Sequence, residues 1–418
     1  MSPSVSPAAL ADEAEAALQG TFREIDRRAE AHTAEILRAF QKHRVSAAMF
    51  APTDGYGYDD RGRDTLELVW AEVFGAEAAL VRHQICSGTH ALAIGLFGLL
   101  RPGDVLLSLT GKPYDTLDEV IGLRGVSGAG SLADFGVRYE QVELLPDGLP
   151  DSAAIRAALA RLGRAVKVAF IQRSKGYANR QSLSVAQIGE LARLVKDCLP
   201  DTYVVVDNCY GEFADDAEPS AVGADLVIGS LIKNPGGGMA ESGGYLAGTR
   251  AAVDLCAGRL TAPGVGAEIG ASLGQNKSLF KGLFYAPHSV AQALKTMHFA
   301  AYLFEGMGLV AAPRWQSRRY DIIQTIECGS AEKLVALCRG IQHGSPVDAF
   351  LSCEPWDMPG YSDPVIMAAG TFTQGASLEL SADGPLRPPY TAYLQGGLTY
   401  ESGKFGILSA AEALLRLR

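Results

Sequence analysis

Hydrophobic and polar positions change their period along the chain, and each change predicts a different element. Residues 8–43 place apolar side chains at helical spacing among Ala, Glu and Arg, which predicts a long leading helix. From residue 65 to 246, short apolar runs alternate with stretches of helical spacing. Such alternation predicts a parallel-rich sheet with helices on its faces, so we expect an α/β fold.

The alternating region and the residues around it predict these elements. Residues 50–64 are irregular, and helices are predicted at Leu66 to Phe74, Thr89 to Leu100, Leu117 to Leu123, Asp151 to Leu162 and Val185 to Leu199. Strands are predicted at residues 78–83, 105–109, 137–142, 166–171, 203–206, 226–228 and 244–246. Later helices are predicted at Ala251 to Leu260, Ile269 to Leu273 and Ser289 to Gly306, with His288 at a helix start. Residues 309–418 mix strands and helices around turns at 354–364 and 383–389.

One lysine follows the strand at 226–228. Lys233 stands directly before Asn-Pro and a run of three glycines, which would let the backbone approach a flat ligand closely. Burial favours the neutral amine of a lysine, and such an amine is nucleophilic toward carbonyl compounds. An ordinary surface lysine after a strand is the alternative.

An acid ends the preceding strand, at Asp207, and Asn208 follows it. Side chains at the carboxyl ends of parallel strands face the crevice where open α/β sheets bind ligands. A carboxylate there can keep the pyridine nitrogen of pyridoxal phosphate (PLP) protonated. It can also cap a loop or bind a metal, but an acid and then a lysine after successive strands fit the cofactor better.

A third signal is a predicted helix start. Ser87, Gly88 and Thr89 precede an apolar helix, so N–H groups and hydroxyls converge on a point that favours anions. A helix cap alone would look the same. Together with Lys233 and Asp207, the segment predicts a phosphate site.

Composition limits the class of protein. The chain has 418 residues, 48% of them hydrophobic, and a net charge of −10, which disfavours a nucleic-acid partner. No apolar run is long enough to span a membrane, and the N-terminus has no signal-peptide pattern. Seven scattered cysteines without metal-like spacing indicate reduced thiols, a cytoplasmic location and no metal site.

The motifs together resemble the fold-type I PLP enzymes of the cystathionine- and methionine-lyase kind. In particular, the chain resembles the methionine gamma-lyase-like family often labelled aluminium resistance proteins. The resemblance runs from about residue 20 to residue 418 and is carried by residues 57–67, 87–90, 113–116, 172–177, 206–213, 230–238, 354–361 and 395–400. Around the lysine the chain departs from the family, because Glu241-Ser242 replaces an expected Pro-Thr.

The resemblance implies an aspartate aminotransferase-like fold. It also implies three regions: an N-terminal helix and inter-subunit segment at 1–64, a large PLP-binding domain at 65–288, and a linker helix with a smaller α+β domain at 289–418. We expect a homodimer or homotetramer that binds a small amino-acid substrate.

The resemblance implies roles for further residues. Tyr114 would stack on the pyridine ring, Ser230 would touch the phosphate, and Tyr58 and Arg61 would reach the cofactor phosphate of a neighbouring subunit. Substrate contacts are expected from Arg387, Arg173 and Tyr56. Arg387 suits a carboxylate because its planar fork can pair both oxygens. A solvated loop or turn is the alternative for Arg173 and for residues 56–61.

The predicted function is β- or γ-elimination from a sulfur-containing amino acid, with Lys233, Asp207 and Tyr114 as catalytic residues. In this prediction Lys233 forms a Schiff base with PLP and later moves the α-proton. Replacement at the β- or γ-carbon, carbon–carbon bond formation and transamination stay open as alternatives, as does a non-catalytic role in metal stress.

Overall fold

The structure, a computed structural model, describes residues 7–177, 180–358 and 363–417. The helices in these residues are α1 Pro7–Lys42, α2 Arg61–Val73, α3 Gly88–Leu99, α4 Asp118–Ile121, α5 Ser152–Leu162, α6 Val185–Cys198, α7 Arg250–Leu260, α8 Asn276–Gly306, α9 Ala331–His343 and α10 Tyr400–Leu415. The strands are β1 Ala78–Arg82, β2 Val105–Ser108, β3 Arg138–Gln141, β4 Val166–Gln172, β5 Tyr203–Asp207, β6 Leu226–Ser230, β7 Gly244–Gly248, β8 Val310–Ala312, β9 Ile323–Glu327, β10 Val365–Ala368, β11 Ser381–Pro385 and β12 Thr391–Gln395.

The chain forms two compact units. One contains the chain up to Thr33, the short segment Ile232–Gly238 and the chain from Tyr285 onward. The other contains Ala34–Leu231 and Met239–Phe284. We call them the small-sheet unit and the large-sheet unit after the sheet that each one holds.

The large-sheet unit is built on seven strands in the order β1-β7-β6-β5-β4-β2-β3. Strands β3, β2, β4, β5 and β6 are parallel to one another, whereas β7 runs antiparallel to β6 and β1. The central strands are hydrophobic almost throughout, as expected for strands buried on both faces. Each strand predicted in the alternating region is present, and the predicted parallel-rich sheet is confirmed.

The small-sheet unit is built on five antiparallel strands in the order β10-β11-β12-β9-β8. Its core combines residues of α8, α9 and α10 with the sheet, and the amino-terminal part of α1 adds Leu10, Ala14 and Leu18. Helix α1 covers nearly the whole predicted range 8–43, so the leading helix is confirmed.

The helix predicted from Leu66 begins five residues earlier, at Arg61. Asp60 caps it, because its carboxylate accepts the backbone N–H of Arg63 at 2.8 Å. Arg61 therefore belongs to the first turn of α2 and not to an irregular segment.

The helix predicted at Ile269 to Leu273 is wrong. Gly270 and Leu273 have φ values of +125° and +48°, which a right-handed helix excludes. The segment instead fastens to residues 53–57: Gly270 N–H donates to the Tyr56 carbonyl at 2.8 Å and Leu273 N–H to the Thr53 carbonyl at 3.1 Å.

The helix predicted from Ser289 begins much earlier, at Asn276, and runs through Pro287. A proline removes one helical hydrogen bond, but residues on both sides of Pro287 are buried, including Leu283 and Val290. Burial of this continuous apolar face outweighs the lost bond. His288 consequently lies inside α8 and does not start a helix.

Of the two predicted turns, one begins later than expected and the other lies partly outside the described residues. The turn predicted at 383–389 begins later, since Asp383 pairs with Tyr393 inside the small sheet. The turn predicted at 354–364 includes residues 359–362, which lie outside the described residues, as does Tyr361 of the matching motif. In the part of the chain that the structure describes, no helix combines the length and apolar character needed to cross a membrane.

Candidate functional site

Three neighbouring strands end at the same edge of the large sheet. In the register of β4, β5 and β6, Gln172 lies beside Asp207 and Asp207 beside Ile228. The strands therefore deliver Arg173, Asn208 and Ser230 to one edge, where open sheets of this class bind ligands.

Helix α3 begins at this edge. Ser87 caps it by accepting the backbone N–H of His90 at 3.1 Å. A Cβ added at Gly88 would lie 3.4 Å from Ser230 Cβ and 3.5 Å from Cys209 Sγ. The structure thus brings the predicted phosphate segment and Ser230 together, and the first turn of α3 directs N–H groups and a positive dipole end toward the same place.

Ser230 is buried, with 1% of the residue exposed. Among the described residues, its Oγ has no hydrogen-bond partner. A buried hydroxyl left in this way costs about 1–3 kcal/mol. A phosphate oxygen would accept from it, so Ser230 and the start of α3 fit the phosphate of PLP.

Asp207 is held at the end of β5. Its side chain is buried, and one carboxylate oxygen accepts the backbone N–H of Cys209 at 3.1 Å. Its carbonyl accepts the backbone N–H of Arg173 at 3.0 Å. One hydrogen bond therefore holds the carboxylate itself, and another holds the main chain that carries it.

Tyr114 follows β2 and is fixed by residues that follow β4. Its N–H donates to Gln172 Oε1 at 2.6 Å, and its ring centroid lies 5.9 Å from that of Tyr177. Gly176 has φ +54°, and a Cβ there would lie 3.1 Å from the Tyr114 ring. Sequence reasoning did not assign Gln172 and Gly176 to the site, although the glycine was a possible signal of close approach.

Arg173 is fully buried, with 0% of its side chain exposed. Its Nη1 donates to Asn208 Oδ1 at 2.7 Å, and Nε donates to the Leu183 carbonyl at 3.4 Å. A solvated turn is therefore wrong for this residue, and a substrate contact stays a prediction. Glu218 lies 3.6 Å from the guanidinium, a partner that sequence reasoning missed.

Lys233 comes three residues after β6 and is half-buried. It directly precedes a 3₁₀ turn at Asn234–Gly236. In the glycine run, Gly238 has φ +76°, and a Cβ there would lie 2.5 Å from Leu398. We expected the glycine run to let the backbone approach a ligand closely. At Gly238 the backbone instead approaches Leu398, in the small-sheet unit.

Two predicted contact regions are exposed. Tyr56 and Tyr58 are 71% and 62% exposed, with ring centroids 5.6 Å apart, and Arg61 is exposed at the start of α2. In the small-sheet unit, the half-exposed Arg387 lies 3.1 Å from Asp363. The predicted roles of these residues stay predictions.

Within the described residues, no group of three or more His, Cys, Asp or Glu side chains could hold a metal ion. All seven cysteines are free thiols.

Comparison with solved structures defines the class of protein. The pyridoxal-5'-phosphate dependent protein YhfS from Escherichia coli matches with a TM-score of 0.62 and covers 94% of this chain and 97% of its own. Its sequence is 18% identical, so this likeness concerns the fold alone. The fold is that of the fold-type I PLP-dependent enzymes, as expected from the sequence.

Closer relatives define the family. A family model described as methionine gamma-lyase matches residues 8–415. The uncharacterized protein YnbB of Bacillus subtilis is 52% identical over 404 residues, which are 97% of this chain and 95% of that protein. The crystal structure of carbon–sulfur lyase involved in aluminium resistance from Clostridium novyi has a TM-score of 0.94 and 47% identity, covering 99% of this chain and 96% of that one. The chain belongs to the methionine gamma-lyase family.

Proposed function

We propose that this protein is a PLP-dependent carbon–sulfur lyase that acts on a sulfur-containing amino acid by β- or γ-elimination. The observation that carries the proposal is the buried Ser230 hydroxyl, which has no partner among the described residues and lies beside the start of α3. Family membership and the lyase name of the Clostridium novyi relative support the choice of reaction.

The residues of the large-sheet unit would hold the cofactor. Ser87, Gly88, Thr89 and Ser230 would bind its phosphate, and Tyr114 would lie against its ring. When bound, PLP supplies an electron sink for the bond that breaks at the substrate α-carbon. Asp207, with Asn208 beside it, would hold a proton on the pyridine nitrogen.

Lys233 would attach the cofactor covalently through Nζ. Its place three residues after β6 supports this role, because β6 also delivers Ser230. Once the substrate has bound, the same Nζ would accept the α-proton. A proton would pass to the sulfur as the C–S bond breaks, so that the sulfur leaves as a thiol. Water would then convert the remaining unsaturated amine into a 2-oxo acid and ammonia.

Substrate and subunit contacts complete the proposal. Arg387, Arg173 and Tyr56 are the proposed substrate contacts, with Arg387 pairing the α-carboxylate. Tyr58 and Arg61 are proposed to reach the cofactor phosphate of a neighbouring subunit in a homodimer or homotetramer. Seven free thiols support a cytoplasmic location.

The test is a substrate panel on the purified holoenzyme. L-cystathionine, L-cysteine and L-methionine are offered in turn, and release of thiol and of 2-oxo acid is measured together. We expect both products in equal amounts from at least one substrate. Thiol exchange without 2-oxo acid would establish replacement in place of elimination. A PLP-loaded protein that releases neither product from any of them would refute the lyase.

A further inference from the structure

A buried hydrogen-bonded network that includes Arg173 and Asn208 lies next to Asp207. Asn208 is its centre: besides accepting from Arg173, its Nδ2 donates to Glu218 Oε2 at 2.8 Å and to the Tyr245 hydroxyl at 3.3 Å. The Tyr245 hydroxyl in turn donates to Glu212 at 2.8 Å. All five side chains are buried.

Two carboxylates of the network, those of Glu212 and Glu218, lie near the Tyr245 phenol. Burial raises the pKa of Tyr245 well above its ordinary value, and the charges of Glu212 and Glu218 raise it further. The phenol therefore keeps its proton and can donate it. The second carboxylate oxygen of Glu218 accepts the backbone N–H of Phe213 at 2.8 Å, so this acid joins the guanidinium of Arg173 to the loop that follows Asp207.

Two glycines make room for these groups. A Cβ added at Gly211 would lie 2.5–2.7 Å from three guanidinium-end atoms of Arg173. A Cβ at Gly229 would lie 2.5 Å from the Tyr245 ring and 2.6 Å from Glu212. Contacts this short are not found for real Cβ atoms, so both positions require glycine while the network is in place.

The loop that carries Asn208 is also conformationally unusual. Tyr210 and Phe213 have φ values of +74° and +60°, a region that bulky residues rarely adopt. Such conformations persist where surrounding contacts determine them, and they concentrate at functional sites. Here the determining contacts include the bond from Phe213 N–H to Glu218.

We infer that Arg173 and Glu218 are positioning residues for the Asp207 carboxylate and that they act through Asn208. The backbone N–H of Arg173 binds the Asp207 carbonyl, while its guanidinium binds the next side chain, so the peptide unit between Asp207 and Asn208 is held from two directions. A buried ion pair is weak as a source of stability but can fix one arrangement. This inference rests on the proposed function, because the carboxylate is positioned for the pyridine nitrogen of PLP.

The test removes both charges at once. Loss of one partner leaves an uncompensated buried charge, whereas replacing both partners together is tolerated far better. The paired variant Arg173→Met with Glu218→Gln is therefore compared with the wild type. Two quantities are measured: the dissociation constant for PLP, and the pH midpoint of the absorbance change of the bound cofactor. Asp207→Asn serves as the reference for a lost carboxylate.

We expect the paired variant to bind PLP at least about tenfold more weakly. We also expect its pH midpoint to shift in the same direction as that of Asp207→Asn. The conservative variant Arg173→Lys keeps the charge but cannot reproduce the planar fork, so it should give a smaller shift of the same sign. This second variant keeps the test decisive if the paired variant does not fold.

The matched control is Asp225→Asn, at the opposite ends of the same strands. Asp225 pairs with Lys196 at 2.8 Å and accepts the Val204 N–H at 2.7 Å, so its loss also breaks an ion pair at β5 and β6. The control should leave the pH midpoint unchanged. If the Arg173 variants behave like this control, the positioning role is overturned while the lyase proposal stands. If the wild type binds no PLP, the proposed function itself is overturned, and the inference with it.

Discussion

At the residue scale, Ser230 and Asp207 differ in how their polar atoms are satisfied. The Asp207 carboxylate already accepts a backbone N–H, whereas the Ser230 hydroxyl has no partner among the described residues. Binding of an anion therefore changes the surroundings of Ser230 more than those of Asp207. Substitution of Ser230 should therefore change mainly the affinity for the cofactor, whereas substitution of Asp207 should change mainly the reaction rate.

Ser230→Ala should weaken cofactor binding without harming the protein that lacks cofactor. A lost hydrogen bond to the charged phosphate corresponds to about 1.5–3 kcal/mol, a rise of about ten- to 150-fold in the dissociation constant for PLP. The melting temperature without cofactor should rise slightly, because an unsatisfied buried hydroxyl is removed. Titration with PLP and thermal melts measure both effects.

The control for this experiment is Ser345→Ala. Ser345 is also buried, but its hydroxyl donates to the Ile341 carbonyl at 2.8 Å. Its loss should lower the melting temperature and leave PLP affinity unchanged. Unchanged PLP affinity in Ser230→Ala would contradict the phosphate role.

Asp207→Asn should separate binding from chemistry. The amide keeps the shape of the side chain but cannot hold the pyridine nitrogen in its protonated form, so the cofactor becomes a poorer electron sink. We expect PLP to bind while kcat falls by more than about tenfold, or ~1.4 kcal/mol. Steady-state kinetics on a substrate found in the panel measures the loss. A variant that keeps most of its rate would disprove the role of Asp207.

Lys233→Ala should abolish covalent attachment of the cofactor. Borohydride reduction followed by peptide mass spectrometry should find PLP on Lys233 in the wild type and on no lysine in the variant. Lys295→Ala is the matched control, since Lys295 is also partly buried and pairs with Asp26 at 2.6 Å. Label on a different lysine in the wild type would show that Lys233 was misassigned.

The residues recognised from the sequence share a local signal. Asp207 and Ser230 end apolar strands, and Ser87 precedes an apolar helix, so each can be placed from its immediate neighbours. The partners of Arg173 could not be predicted in this way. Glu218 comes ten residues after Asn208 in an irregular connection without a periodic pattern, and Tyr245 comes 37 residues after it, on β7, where only the packing of the strands brings it to Asn208.

At the scale of elements, the helix that was wrongly predicted and the helix start that was misplaced also depend on contacts between distant residues. The apolar spacing of residues 269–273 fits a helix, but positive φ values at Gly270 and Leu273 arise from hydrogen bonds to residues 53–57. Around Pro287 the opposite holds, because burial of α8 outweighs the local preference of proline. Strands and helices with strong periodicity were predictable, whereas boundaries that depend on distant contacts were not.

The cap of α2 gives an element-scale prediction. Burial acts to raise the pKa of Asp60, but hydrogen bonds from the Arg63 N–H, Thr53, Ser272 and Asn276 outweigh it and leave the pKa below its ordinary 3.8. A lowered folded pKa means that the carboxylate stabilises the fold above pH 3.8, and that this stabilisation is lost as the pH falls through the folded value.

Asp60→Asn should therefore lower the melting temperature at pH 7, because the amide keeps a capping oxygen but lacks the charge that the four donors stabilise. The difference from the wild type should shrink as the pH drops below 3.8. Melts across this pH range test both statements, with Asp254→Asn, an exposed aspartate, as the control. A difference that does not vary with pH would mean that the charge of Asp60 is not what stabilises α2.

At the scale of the whole molecule, residues 53–60 form an ordered segment that presents aromatic side chains outward. Thr53 N–H donates to Ser272 Oγ at 3.1 Å, Asn276 donates to Asp60 at 3.0 Å, and Arg63 donates to the Gly57 carbonyl at 2.7 Å. Tyr56 and Tyr58 nevertheless stay largely exposed. Large exposed aromatic side chains on a fixed segment are typical of a protein–protein interface.

The last prediction is that Arg61 acts in a neighbouring subunit. The phosphate segment at residues 87–89 contains no cation of its own, and a charge-assisted Arg bond is about twice as strong as a neutral one. Chains with Lys233→Ala and chains with Arg61→Ala, each expected to be inactive as homodimers, are mixed and allowed to exchange. A hybrid dimer then has one site with both defects and one with neither. With random exchange and two-fold symmetry, about a quarter of the wild-type activity should return.

Mixing Lys233→Ala with Asp207→Asn is the matched control. Both residues are proposed to serve the site of their own chain, so each site of a hybrid dimer keeps one defect and no activity should return. Exchange is verified by native mass spectrometry. If verified hybrids of the first mixture stay inactive, Arg61 does not serve the partner's phosphate, and the cation acts within its own chain or not at all.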